Sequence, residues 1–391
     1  MNIIFYRYNN ICEPDYMLAF KSVGLNIIED LQGMDSEVSL DSKITTLGNY
    51  ICDYAPLFIF SMNYYPFIAL LSERLKIPYV SVTSDCPVLE LYNTSIKSEY
   101  NRIFLFDKYQ FNEIQKLNPE HVFYLPLGAC TERFDKVLSN TSTLKYDVSF
   151  VGSLYQNNLL SNPTYSESQK EAIENICKKQ IEESSFGLNV TDCLVSQELV
   201  EAIKTNSANF YSSALCTHTI DRNVAIDNYI GPYITFRERT EMLNKLSESL
   251  PDGSIYLFTG SDVSNLSNKI ITHPPISSGI EMPNVFRQTK INLNFTLRSI
   301  RSGIPQRIWD VLACRGFLIT NAQPELELYF KQGVHLETYS TIDELIDKTS
   351  YYLSHDSLRE NIAQKGYELV SSHHKTIDRV IQIVKTISNI K

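Results

Sequence analysis

Short apolar runs spaced by amphipathic stretches recur through the chain in two series, and this rhythm restricts its fold more than any other feature. Runs of that length suit buried strands, and the stretches between them carry the three-and-four spacing of helices. Alternation of the two marks a parallel sheet covered by helices. The first series is Asn2–Phe5, Leu25–Ile28, Leu57–Ser61, Tyr79–Val82, Arg102–Phe106 and Val122–Leu125, with helical patterns such as PFIALLSERLK between its members. The second begins at Asp147–Val151 and breaks off for a long polar, helical stretch. It resumes with Ile255–Phe258, Lys269–Thr272, Ile291–Phe295, Phe317–Thr320 and Val334–Glu337. The polar segment Lys136 to Lys145 reads as the linker. Two α/β domains are therefore expected, over residues 1–140 and 141–391, the second carrying a helical insertion at about 155–250.

Composition excludes several classes of function. A net charge of −10 argues against charge-driven binding to nucleic acid or to an anionic membrane, although it permits a local basic pocket. The longest apolar run, PLFIFSMNYYPFIALL, is broken by polar residues and proline and falls short of the roughly 20 apolar residues a spanning helix needs, so no integral membrane segment is expected. The start, MNIIFYRYNN, lacks the charged-then-apolar pattern of a leader and reads as a first strand. The 8 cysteines are scattered without a C-x-x-C pair, as in a reduced, cytoplasmic protein.

In open parallel sheets, ligands sit beyond the carboxyl ends of the strands. Those ends read FVGSLY (Gly152, Ser153), LFTGSD (Gly260, Ser261) and LNFTLRSIRSG (Arg298, Arg301, Gly303). Glycines there admit an anion to backbone N–H groups, and arginines can neutralise it; the alternative is that Gly152 and Gly260 are plain turn residues. The stretch RSGIPQRIWDVLACRGFLIT predicts a helix from Pro305 to Arg315, with Gly316 as its left-handed stop. Its first N–H groups face the turn Ser302-Gly303-Ile304, which makes an anion site. Arg307 and Asp310 share a helix face, either toward a ligand or as a surface ion pair.

INLNFTLRSIRSGIPQRIWDVLACRGFLITNAQPELELYF, with YYLSHDSLRENIAQKGYELV and HHKTIDR, resembles the C-terminal half of the bacterial spore-maturation-type (CgeB-like) glycosyltransferases. YRYNNICEPDYMLAF, SDCPVLELY, RIFLFDKYQF and YLPLGAC are similar to the N-terminal domain usually fused to it. The resemblance implies a GT-B architecture, two Rossmann-like domains facing across a cleft, the C-terminal one binding a nucleotide sugar, UDP-linked, and the N-terminal one serving the acceptor. Asp310 occupies the place of a carboxylate that grips the ribose diol, where Glu is commoner in related families. His273, in the loop THPPIS, falls near the base, and Asn294, Ile304 and Pro305 join the expected donor contacts. The chain holds no Asp-x-Asp. The diphosphate therefore falls to Arg298, Arg301, Arg307 and the helix start, and neither metal nor cofactor is expected. Arg315, at the far helix end, complements the helix dipole.

For acceptor activation, Asp85 in VTSDCP and Glu13 in NNICEPD match motif positions of the N-terminal half. Asp85 follows its strand directly, whereas Glu13 lies on a loop further out. Either acid can instead cap a helix starting at Pro87 or Pro14. The expected activity is sugar transfer to a protein, glycan or spore-surface acceptor. The alternatives are a catalytically inactive relative that partners an active glycosyltransferase and a nucleotide-sugar epimerase on the same plan.

Overall fold

The computed structural model describes residues 1–138, 143–156, 159, 164–183 and 187–389. Part of the expected linker, 139–142, lies outside the described residues. The chain forms two compact units: Met1–Cys130 with Ser213–Thr219 and His373–Lys391, and Thr131–Ser212 with Ile220–Ser372.

The first unit holds β1 (Asn2–Tyr6), β2 (Asn26–Asp30), β3 (Ile59–Met62), β4 (Tyr79–Val82), β5 (Asn101–Leu105) and β6 (Val122–Tyr124), in the order β2-β1-β3-β4-β5-β6. Every pairing is parallel, with Ile4 opposite both Ile28 and Ile59. Residues of β3, β4 and β5 are buried throughout, as a sheet covered on both faces requires. Chain order reverses between β1 and β3. The last helix, Thr376–Asn389, returns to this unit, where Val380 and Ile383 pack with Ile3, Phe5, Phe20 and Phe60.

The second unit holds β7 (Tyr146–Val151), β8 (Ile255–Phe258), β9 (Ile271–His273), β10 (Thr289–Asn294), β11 (Leu318–Asn321) and β12 (Glu337–Tyr339), ordered β12-β11-β10-β7-β8-β9 and again parallel. Its order reverses between β7 and β10, the topological switch point at which such sheets bind ligands. Between β7 and β8 come helices Glu167–Glu182, Asn189–Leu194, Gln197–Asn206 and Gly231–Ser249, with a π-helical turn at Ala225–Ile230. They bury Ile173, Val200, Ile203, Ile226, Ile230 and Ile234 in a core of their own.

Two local expectations are corrected. The strand expected at Val334–Glu337 forms at Glu337–Tyr339. The N–H groups of Val334 and His335 both bond to Lys331 O, at 3.1 and 3.0 Å, so the chain is still turning there. The helix expected at Pro305–Arg315 runs from Gln306 to Ala313, and its left-handed stop is Arg315, at φ 58°, not Gly316. Space, not dihedral freedom, demands the glycine: a Cβ on Gly316 would lie 2.8 Å from Asn292 Nδ2 and 2.9 Å from Val311 Cγ1.

Candidate functional site

At the switch point of the second sheet, the loops after β7 and β8 are tied by serines. Ser153 Oγ lies 3.3 Å from Ser261 Oγ, Leu154 N–H donates to Ser261 Oγ at 2.9 Å, and Tyr155 N–H donates to Ser153 Oγ at 2.9 Å. Gly152 and Gly260 precede the two serines, so these four expected residues come together. Gly152, at φ 159°, has a backbone conformation that L side chains rarely adopt, whereas a Cβ on Gly260 would make only ordinary contact with Pro275, at 3.6 Å. The turn at Gly260 therefore has room for a side chain. Asn294 is buried at the end of β10 and donates to Thr296 Oγ1 and Thr320 Oγ1 at 3.1 and 2.9 Å, bracing the carboxyl ends of β10 and β11.

The helix Gln306–Ala313 begins beyond β10, after Gly303 and the buried Ile304, with Pro305 at its cap in extended conformation. Asp310 is 3% exposed; its Oδ1 accepts from Gln306 Nε2 at 2.8 Å, and its Oδ2 lies 3.9 Å from Arg307 Nη1. Arg307 stacks over Phe286, with 5.2 Å from Cζ to the ring centroid, and Nη1 points to Met282 Sδ. Burial pushes its pKa down, against the opposing pull of Asp310. Arg315 instead pairs with Asp135 at 2.6 Å and lies over Tyr367.

Two of the expected diphosphate ligands have other work. Arg298 donates Nε to Glu238 Oε2 at 2.8 Å and Nη2 to Glu238 Oε1. Arg301 sits between Asp192 and Asp227, at 2.6 and 2.7 Å, and joins the β10 loop to the helical insertion. A buried guanidinium in such a pair has its charge already met. His273, expected near the base, stacks on Phe258 with centroids 4.8 Å apart, packing beside β8. A cavity of about 300 Å³ opens beside Arg298 and Glu238, with Asn321 and Tyr339 in its wall, but none of Gly152, Ser261, Arg307 or Asp310 lines it.

One residue escaped the sequence reading. Arg239, on the helix Gly231–Ser249, is buried and donates to the carbonyls of Ser153 and Phe295, at the ends of β7 and β10. In RERTEMLNKL it looks like part of a charged solvent face, and no local pattern marks it.

In the first unit, Glu13 is not on a loop. It is the first residue of the helix Glu13–Ser22, is 0% exposed, and accepts from Arg7 Nε at 3.1 Å and from Tyr8 N–H at 2.8 Å. The carboxylate is enclosed with both oxygens engaged, and it anchors the turn after β1. Asp85 is exposed beyond β4, and its Oδ2 accepts from Asn63 Nδ2 at 2.5 Å. It caps no helix: the next helical turn, Leu89–Tyr92, is preceded by Val88 and has no side-chain cap. Asn63, in the left-handed region at φ 54°, accepts at Oδ1 from the N–H groups of Ser84 and Asp85 and donates to Tyr8 Oη at 2.6 Å. Asn10 donates to Tyr8 Oη and Ser84 Oγ. Burial, then the nearby Asp85, pushes the Tyr8 phenol up, so it stays protonated.

Residues 237–385 match the family model described as Glycosyl transferase-like. No curated protein matches the chain. Among solved structures, a sucrose-phosphate synthase from Thermosynechococcus elongatus is similar with a TM-score of 0.58 at 9% identity, over 100% of this chain and 99% of that one. An alpha-glucosyltransferase in complex with UDP and a DNA 13-mer has a TM-score of 0.56 at 10% identity, over 100% of both chains. The HepE protein of Anabaena in complex with UDP has a TM-score of 0.55 at 8% identity, over 99% of this chain and 100% of that one. At such identities the likeness speaks for the fold alone. Among the described residues no helix is long and apolar enough to cross a membrane. With its two six-stranded parallel sheets, the chain has the two-domain α/β GT-B fold, and its C-terminal stretch, residues 237–385, is glycosyl transferase-like.

Proposed function

We propose that the protein is a glycosyltransferase of the spore-maturation type that moves a hexosyl group from a UDP-linked donor to a protein, glycan or surface acceptor, without a divalent ion or cofactor. The observation that carries this reading is the placement of Asp310 and Arg307 on one helix that starts directly after Gly303-Ile304-Pro305, beyond the carboxyl end of β10, inside the stretch matched by the family model. An ionised carboxylate offers two acceptor oxygens to the two hydroxyls of a ribose. The start of this helix, with Arg307, meets the diphosphate. Charge that develops on the leaving diphosphate is then stabilised by donors already in place. The acceptor proton is assigned to Asp85, whose Oδ2 is steadied by Asn63.

Calorimetric titration with UDP, GDP and dTDP in EDTA tests the donor side. At least one should bind; binding of all three only after magnesium is added would refute the metal-free reading. Donor hydrolysis without acceptor separates an enzyme from an inactive partner: slow sugar release is expected, and a chain that binds donor but never releases its sugar is the inactive partner.

A further inference from the structure

The amino ends of the strands in the second sheet carry a cavity of their own. It measures about 400 Å³, and Arg287, Lys290, Arg315 and Arg359 stand in its wall with a single carboxylate, Glu360. Local structure brings each cation there. Arg287 closes the helix Glu281–Arg287, Lys290 is the second residue of β10, Arg315 follows the helix Gln306–Ala313, and Arg359 lies in the helix Asp356–His373. Leu144 and Phe317, also in the wall, precede β7 and β11 and mark the edge of the sheet. β10 has 6 residues, which at about 3.3 Å each put roughly 20 Å between this edge and the carboxyl end from which the Asp310 helix departs. None of the residues assigned above to the nucleotide sugar stands in this wall.

These cations are only loosely neutralised. Lys290 pairs with Asp147 at 2.7 Å, Arg315 with Asp135 at 2.6 Å, and Arg359 with Asp356 at 2.7 Å. The three carboxylates are 42%, 39% and 68% exposed, and water competes strongly for pairs of that kind. An incoming anion can therefore take over their cations at little cost. Arg287 meets a carbonyl rather than a carboxylate: its Nη1 donates to Arg315 O at 3.4 Å. A carbonyl satisfies an N–H without cancelling its charge. The Arg359 guanidinium is buried; Nη1 donates to Tyr352 O at 2.8 Å, and Nη2 is enclosed without an acceptor among the described residues. Arg287, Lys290 and Arg315 are half-buried, so they stay within reach of a ligand while the concave wall limits the water around them.

We propose that this cavity is a ligand site separate from the one read for the nucleotide sugar, and that it takes a small molecule carrying two phosphate groups or a diphosphate. Two phosphates bring about 3 to 4 negative charges, which suits a wall of four cations and one carboxylate. Three of those cations are arginines, whose planar fork meets phosphate oxygens in pairs. The volume is that of a small-ligand pocket, and Phe317 and Ala363 give it an apolar part for the carbon frame of the ligand. Because it lies at the opposite edge of the sheet, it can be filled together with the nucleotide site and does not depend on it.

The test is calorimetric titration of the full chain with inorganic pyrophosphate, and with sulfate for comparison, in wild type, the double variant R287Q/K290Q and R307Q. Wild type should bind pyrophosphate more tightly than sulfate. R287Q/K290Q should weaken that binding about 10- to 100-fold, whereas R307Q, on the helix read for the nucleotide, should leave it unchanged. The proposal is overturned if R287Q/K290Q binds pyrophosphate as wild type does, or if sulfate binds equally well, which marks general screening of surface charge. A loss in R307Q in place of R287Q/K290Q would put the binding at the nucleotide helix and overturn it as well. If the double variant does not fold, K290Q alone decides: weakened pyrophosphate binding supports the site, and wild-type binding overturns it. A wild-type chain that binds no pyrophosphate defeats this proposal and leaves the nucleotide-sugar reading to its own titration with UDP, GDP and dTDP.

Discussion

Asp310 is almost wholly enclosed, and its Oδ1 is already met by Gln306. If its carboxylate grips a ribose diol, Asp310→Ala should weaken nucleoside diphosphate binding by about 1.5–3 kcal/mol, the scale of charge-assisted hydrogen bonds. The 2′,3′-dideoxy nucleotide should bind variant and wild type alike; equal losses for both ligands would instead make Asp310 a structural mate of Arg307. The two acids of the first unit now separate sharply. Asp85→Asn should cut turnover roughly 10²- to 10⁴-fold with donor affinity unchanged, and wild-type kcat from pH 6 to 9 in that variant would end its assignment as base. Glu13→Gln should act on stability, by about 1–3 kcal/mol in urea unfolding, because it weakens bonds to Arg7 and to Tyr8 N–H. A Glu13→Gln chain with wild-type stability and a raised acceptor KM would restore the role expected from its sequence.

At the scale of elements, the last helix is tied to the first unit by backbone bonds between Ala129 and the segment His374–Thr376, each of 2.9 Å. Arg379 holds the same junction: Nε donates to Leu127 O, and Nη2 lies 3.1 Å from His374 Nδ1. A guanidinium can only donate, so Nδ1 must accept and the imidazole must be neutral. Burial, then Arg379 and His373, accordingly push the His374 pKa down from 6.5 to about 4, with Asp378 opposing. Between those values the unfolded chain binds a proton that the folded one refuses, so this contribution to stability is complete above pH 6.5 and is lost as pH falls toward 4. Urea midpoints measured between pH 7.5 and 4.5 should fall less steeply for His374→Gln than for wild type. Parallel pH profiles would mean that His374 titrates normally in the fold.

For the whole molecule, division into two α/β units was legible because strand length and helical period are local properties: β4 and β8 fall on the residues where the apolar runs place them. The spacing from Gly303 to Asp310 was equally readable, since a turn, a cap and a helix face depend on near neighbours. Pairing of charges was not. Arg301 meets Asp192 and Asp227, 109 and 74 residues away in sequence, so it resembled a ligand's arginine until the insertion folded beside it. Glu13 looked like a loop acid until Arg7 and the end of β1 enclosed it. The return of Thr376–Asn389 to the first unit is likewise invisible locally, because an amphipathic helix specifies that it needs an apolar partner and not which one. By itself the sequence determined the strands, the helices and the turn, cap and helix beyond β10, all consequences of short-range geometry. Which arginines are spent on carboxylates was decided only by tertiary structure, because burial and long-range contact set the fate of a charge.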